Sequence, residues 1–162
     1  MNSEPIRLLL ADDDKDDCLF FEEALQELPL STNLTTVHNG EQLMQLLTKK
    51  TEQLPHALFL DLNIPRKNGL ECLSEIKLNE KLHRLFVIIF TTSFEQRTVN
   101  LLYQNGAHYY IQKPAEFSQL KKVIHQALTI ITKSLPAGKA EHFKQPSKEK
   151  FVLTGNLEIF KQ

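Results

Sequence analysis

The chain has 162 residues, a formal net charge of -1 and 41% hydrophobic residues, enough for one domain that buries a core without staples. A charge near zero leaves no electrostatic footprint for nucleic acid or an anionic membrane surface, so neither is expected as a partner. Two cysteines without metal-ligand spacing, no basic leader in MNSEPIRLLLADDD and no apolar run near the roughly 18 residues of a membrane span point to a cytoplasmic protein.

Ile6 to Ala11 is apolar except for Arg7 and reads as a strand covered on both faces. Asp14 to Asp17 supply caps and first-turn acids for a helix from about Asp16 to Leu28, with Phe20, Phe21, Ala24, Leu25 and Leu28 at helical spacing and Pro29 as its stop. Leu34 to His38 reads as a short second strand. Asn39-Gly40 then turns into a helix bearing Leu43, Met44, Leu46 and Leu47, with Lys49 and Lys50 near its end. Ala57 to Leu62 is the third strand, and the Pro- and Gly-containing loop Asn63 to Gly69 separates it from a helix carrying Leu70, Leu73, Ile76 and Lys77. Leu85 to Phe90 is the most apolar strand. Thr91-Thr92-Ser93 offers hydroxyls to cap a helix with Val99, Leu101, Leu102 and Tyr103, which Asn105-Gly106 ends. His108 to Gln112 is the fifth strand, and Pro114 opens a long helix with the stripe Phe117, Leu120, Ile124, Ala127, Leu128 and Ile131.

Five alternations of strand and helix imply an α/β fold with a parallel sheet and helices on both faces. The regular domain spans residues 1 to 135. Residues 136 to 162 form a tail, linker-like from Pro136 to Lys150 and apolar again from Phe151 to Phe160. That last segment either stays mobile or pairs as a short strand or hairpin on its own or a partner's surface. On the long helix, Val123 and Ile130 lie off the core stripe, either as a homodimer face or as isolated exposed apolar residues.

Four polar clusters sit at the carboxyl ends of four strands: Asp12-Asp13, Asp61, Thr91 and Lys113. In an open parallel sheet those ends lie side by side, and ligands bind in the crevice they form. Taken singly, each residue has an ordinary reading as a cap or a solvated charge. Four of them at the ends of separate strands do not share one. The six histidines fall at unrelated spacings and suggest no metal site, and no Gly-rich phosphate loop is present. Cys18 and Cys72 read as helix residues in or near the core.

The stretches LLLADDD, LFLDLNIPRKNG, VIIFTTS and YYIQKP resemble, in order, the receiver domain of two-component response regulators. The spacing agrees, with 91 - 61 = 30 residues from Asp61 to Thr91 and 113 - 91 = 22 from Thr91 to Lys113. The resemblance covers residues 6 to about 134 and implies a flavodoxin-like doubly wound sheet of order 2-1-3-4-5. It makes Asp61 the phosphoacceptor, fed by a phosphohistidine on a sensor histidine kinase or by a phosphotransfer protein. Mg²⁺ or Mn²⁺ is expected on Asp12, Asp13, Asp61 and the main-chain carbonyl of Asn63, a hard oxygen set suited to such ions. Lys113 is expected on the phosphoryl oxygens, and the Lys113-Pro114 bond is expected to be cis. Thr91 and Tyr110 form the expected switch, the hydroxyl moving toward the phosphate as the ring turns from exposed to buried. Asn63 and Ser93 match positions that tune hydrolysis.

The 162 - 135 = 27 residues after the domain are too few for an ordinary DNA-binding domain, so a stand-alone receiver acting through protein contacts is expected. Asp14 to Asp17, the loop from Leu62 to Gly69 and Thr91-Thr92-Ser93 resemble small receivers paired with phytochrome-type or other hybrid kinases. Apart from self-catalysed phosphotransfer and dephosphorylation, no enzyme activity is expected. The alternative is a constitutive binding module on the same fold. A flavodoxin or small enzyme would leave the acid pair, Asp61 and Lys113 unexplained.

Overall fold

The computed structural model describes residues 4–49, 53–135 and 144–155. Strands β1 (Ile6–Ala11), β2 (Thr32–Val37), β3 (Ala57–Leu60), β4 (Val87–Thr91) and β5 (Tyr109–Gln112) alternate with helices α1 (Lys15–Gln26), α2 (Gly40–Leu47), α3 (Gly69–Leu78), α4 (Gln96–Gln104) and α5 (Phe117–Ser134). All strand pairs are parallel, and the order is β2-β1-β3-β4-β5. This is the flavodoxin-like arrangement expected from the sequence. β1 and β3 therefore sit centrally, and their ends at Asp12 and Asp61 are neighbours.

Successive strand side chains point to opposite faces, so each inner strand feeds two cores. Leu9, Leu58, Leu60, Val87 and Ile89 pack with α2, α3 and α4 residues on one face. Leu8, Leu10, Phe59, Ile88, Phe90 and Ile111 pack with α1 and α5 on the other. Phe21 lies edge-on to Phe59 and Phe90, at centroid distances of 4.9 and 5.3 Å, whereas its neighbour Phe20 is 47% exposed and not part of the stripe. α5 begins at Phe117, not at Pro114, and lacks a side-chain cap. α4 begins at Gln96 after Glu95, so the hydroxyls of Thr91 to Ser93 do not cap it.

Part of the tail is docked on the sheet. The Tyr110 N–H donates to the Phe151 carbonyl (3.0 Å), and the Leu153 N–H donates to the Tyr110 carbonyl (2.9 Å), forming a parallel bridge between Tyr110 and Val152. Phe151 and Leu153 are buried, one in each core. The segment thus pairs on its own chain. Val123, one half of the expected dimer strip, is buried in the same cluster as Leu153, and Ile130 is half-buried against that cluster. Lys50, residues 136–143 and residues 156–162 lie outside the described residues, so the readings placed there have no structural counterpart.

Candidate functional site

Main-chain bonds between strand ends set the site's frame. The Asp12 N–H donates to Val37 O (3.0 Å), the Asp61 N–H to Ala11 O (3.0 Å) and the Lys113 N–H to Thr91 O (2.7 Å). These bonds bring four residues from four strand ends onto one centre. Asp61 is 5% exposed, and its carboxylate is held from three sides. Thr91 Oγ1 donates to its Oδ1 at 2.8 Å, the Asn63 N–H approaches the same oxygen at 3.2 Å, and Lys113 Nζ donates to Oδ2 at 3.0 Å.

Lys113 is the hub of the charges. Its Nζ also pairs with Asp12 Oδ2 at 2.7 Å and Asp17 Oδ2 at 2.8 Å, and it stands 5.4 Å from the Phe90 ring centroid. Burial opposes its charge, but close pairing with Asp12 and Asp17 and the charges of Asp12 and Asp61 outweigh that and raise its pKa. Asp12 is fully buried, and burial pushes its carboxyl up to about 6, although Lys113 and the Asp14 N–H pull it down. Asp12 Oδ1 takes that Asp14 N–H at 3.0 Å. Asp14 itself caps α1 by accepting from the Asp17 N–H, which aims the first helical turn at the centre.

Asp12, Asp13 and Asp61 each offer a carboxylate oxygen, and the three lie within 4.8 Å of one another. Asp13 is exposed while the other two are buried, so the cluster opens to solvent on one side. Asp12 Oδ2 makes no hydrogen bond of good geometry, only its ion pair with Lys113. Several carboxylates facing one ammonium leave negative charge in excess. Three hard oxygen donors with an incompletely satisfied buried oxygen fit a divalent cation of the Mg²⁺ or Mn²⁺ type.

Asp12, Asp13, Asp61, Thr91 and Lys113 thus come together as the sequence indicated. Tyr110 is fully buried, and its hydroxyl donates to the Ser93 carbonyl at 2.5 Å, so Ser93 takes part through its main chain while its side chain is exposed. Asn63 is exposed beside Asp61. One expectation is corrected: among the described residues no peptide bond is cis, so Lys113-Pro114 is trans. Trans is the lower-energy isomer even before proline, and here the Lys113 N–H bond to Thr91 and the three carboxylates direct the side chain. One participant was missed. Asp17 read as a first-turn helix acid, yet its carboxylate reaches Lys113. Its place one turn after the Asp14 cap, on the side of the helix that returns to the strand end, was the available signal.

Residues 8–125 match the response regulator receiver domain family. The response regulator Rcp1 of Synechocystis sp. is 30% identical over 142 residues, covering 84% of this chain and 97% of Rcp1. A probable chemotaxis protein CheY of Rhizobium etli is 29% identical over 122 residues, covering 75% and 92%. Among solved structures, the phosphorylated cyanobacterial phytochrome response regulator RcpA superposes with a TM-score of 0.75 at 28% identity, over 81% of this chain and 96% of RcpA. The Mn²⁺-bound form of Rcp1 gives 0.70 at 28% identity, over 88% and 100%. No helix among the described residues is long and apolar enough to cross a membrane. Because the family match runs from β1 into α5 and contains every residue of the carboxylate centre, the chain belongs to the response regulator receiver domain family.

Proposed function

We propose that this receiver works as a phosphorylation switch in which Asp61 accepts a phosphoryl group from a phosphohistidine on a sensor histidine kinase or phosphotransfer protein. The observation that carries the reading is the Asp61 carboxylate, buried between the Thr91 hydroxyl and the Lys113 ammonium with Asp12 and Asp13 beside it. An Asp61 oxygen bonds to phosphorus as the phosphorus–nitrogen bond breaks, and that electron pair returns to the imidazole. An aspartyl phosphate is a covalent intermediate of known type.

Phosphoryl transfer depends mainly on positioning and on neutralising the oxygens. Lys113 holds a positive charge where the incoming oxygens arrive, and its three carboxylate partners keep it protonated. The Thr91 hydroxyl turns from Asp61 to a phosphoryl oxygen, and Tyr110 packs behind it. Asp12, Asp13, Asp61 and the Asn63 carbonyl hold Mg²⁺ or Mn²⁺, which when bound offsets the repulsion between carboxylate and phosphate. Asn63 and Ser93 border the phosphate and tune how fast water removes it. The likeness to the cyanobacterial phytochrome response regulator RcpA supports a phytochrome-type or hybrid kinase as the donor. The output is a protein contact made or broken in the cytoplasm. A constitutive binding module would have no use for an acceptor, acid pair, hydroxyl and lysine kept in contact.

Incubation with Mg²⁺ and acetyl phosphate, followed by intact mass, tests the reading. One phosphoryl adduct is expected on the wild type, none in EDTA and none on Asp61→Asn. An adduct of equal yield on Asp61→Asn would overturn it.

A further inference from the structure

Tyr110 is held from two directions. On the site side its hydroxyl is tied to the Ser93 carbonyl, two residues beyond Thr91, and Phe94 meets its ring edge-on at 5.7 Å. Thr91 in turn donates to Asp61, so the connection that leaves β4 carries both contacts. On the other side, the N–H and C=O of Tyr110 would be open edge groups of β5, and both are taken by the tail at Phe151 and Leu153. The fully buried Phe151 ring packs 5.1 Å from Tyr103 and 6.3 Å from Tyr110.

The rest of the segment is anchored on elements that flank β5. Gln145 Nε2 donates to the Tyr103 and Ala107 carbonyls (2.6 and 2.7 Å), and the Tyr103 hydroxyl donates to Pro146 O (2.8 Å). At the other end the Gly155 N–H donates to Gln126 Oε1 (2.7 Å), and Gln119 Nε2 donates to Thr154 O (2.6 Å). The segment therefore clasps α4, β5 and α5 across Tyr110. A Tyr110 ring turned outward would lose Phe151, Phe94 and the Ser93 carbonyl together.

We propose that segment 144–155 is a built-in ligand of the switch: docked on the β5 edge, it holds Tyr110 inward, and docking and phosphoryl acceptance at Asp61 favour each other. The inference rests on Asp61 being the phosphoacceptor. Coupling between two binding events is reciprocal, so whatever the phosphate does for the tail, the tail does for the phosphate.

The test uses the full chain with Mg²⁺ and beryllofluoride as the phosphate mimic. Amide exchange across residues 144–155 should slow by about fivefold or more on adding the mimic, the lower end of ordinary coupling. Phe151→Ala should bind the mimic weaker by a similar factor, and Asp61→Asn should show neither binding nor a change in the tail. Should Phe151→Ala fail to fold, Gln145→Ala removes two tail bonds from an exposed side chain and should weaken mimic binding in the same direction. Uptake of the mimic with unchanged or faster tail exchange would overturn the coupling and leave the phosphoacceptor reading standing. No uptake at all by the wild type would remove both.

Discussion

Asp12 is ionised at a cost. Its carboxyl is pushed from 3.8 to about 6, first by burial, with the nearby Asp61 charge adding to it against the pull of Lys113. A folded-state value above the unfolded one means that the folded chain binds more protons between those limits. The stability this group contributes is therefore fully present below about pH 4 and is lost as pH rises through about 6. Asp12→Asn cannot titrate there, so in EDTA its stability relative to wild type should climb between pH 4 and pH 7, measured by urea denaturation at each pH. Adding Mg²⁺ at pH 7 should stabilise the wild type, by roughly 2.7 kcal/mol at a hundredfold excess over its dissociation constant, and leave the variant unchanged. A difference between the two proteins that stays flat with pH would mean that Asp12 is not strained by its burial.

At the scale of elements, the sequence indicated which strands carry the site but not what holds the helices against it. In the sequence Gly69 reads as the last residue of the loop from Asn63. In the structure Gly69 is the first residue of α3, behind an Asn68–Glu71 capping box, and its N–H donates to Leu62 O at 3.0 Å. A Cβ placed there would lie 2.4 Å from the Asp61 carbonyl oxygen and 2.7 Å from the Leu62 Cα. The glycine is needed because two backbones touch, and no local pattern reports a contact between a helix start and the strand end before it. Gly69→Ala must push α3 away from the segment bearing Asp61, and overpacking of this kind costs about 1–3 kcal/mol. We expect a loss of stability in that range with slower uptake of phosphate from acetyl phosphate, followed by intact mass over time. Full stability with normal uptake would show that α3 shifts without moving Asp61. The missing cap on α4 has a positional cause: the helix starts at Gln96 behind Glu95, so the hydroxyls of Thr91 to Ser93 lie ahead of the cap position, and that of Thr91 is turned to Asp61 instead.

Across the whole molecule, continuous apolar runs marked the inner strands and helical apolar spacing marked the helices that cover them, whereas the docked tail has too short a pattern to reveal its place. Phe151, Val152 and Leu153 left open whether the segment pairs at all, and Val123 resembled a dimer face only because its cover comes from this non-repeating stretch. The same shortness limits how firmly the tail is held. It joins the sheet through two main-chain bonds to Tyr110, while β4 is paired on both sides and buried throughout. Local opening requires only the loss of the contacts of the part that opens, so a segment with few of them opens below the global unfolding free energy. In the metal-free protein the amides of Leu153 and Gly155 should exchange faster than those of Ile88 and Ile89, and Phe151→Ala should accelerate the tail amides while leaving those of β4 nearly unchanged, as read by residue-resolved hydrogen exchange. Equal protection in the tail and in β4, falling together in the variant, would instead make residues 144–155 part of the cooperative core, unable to undock while the receiver stays folded.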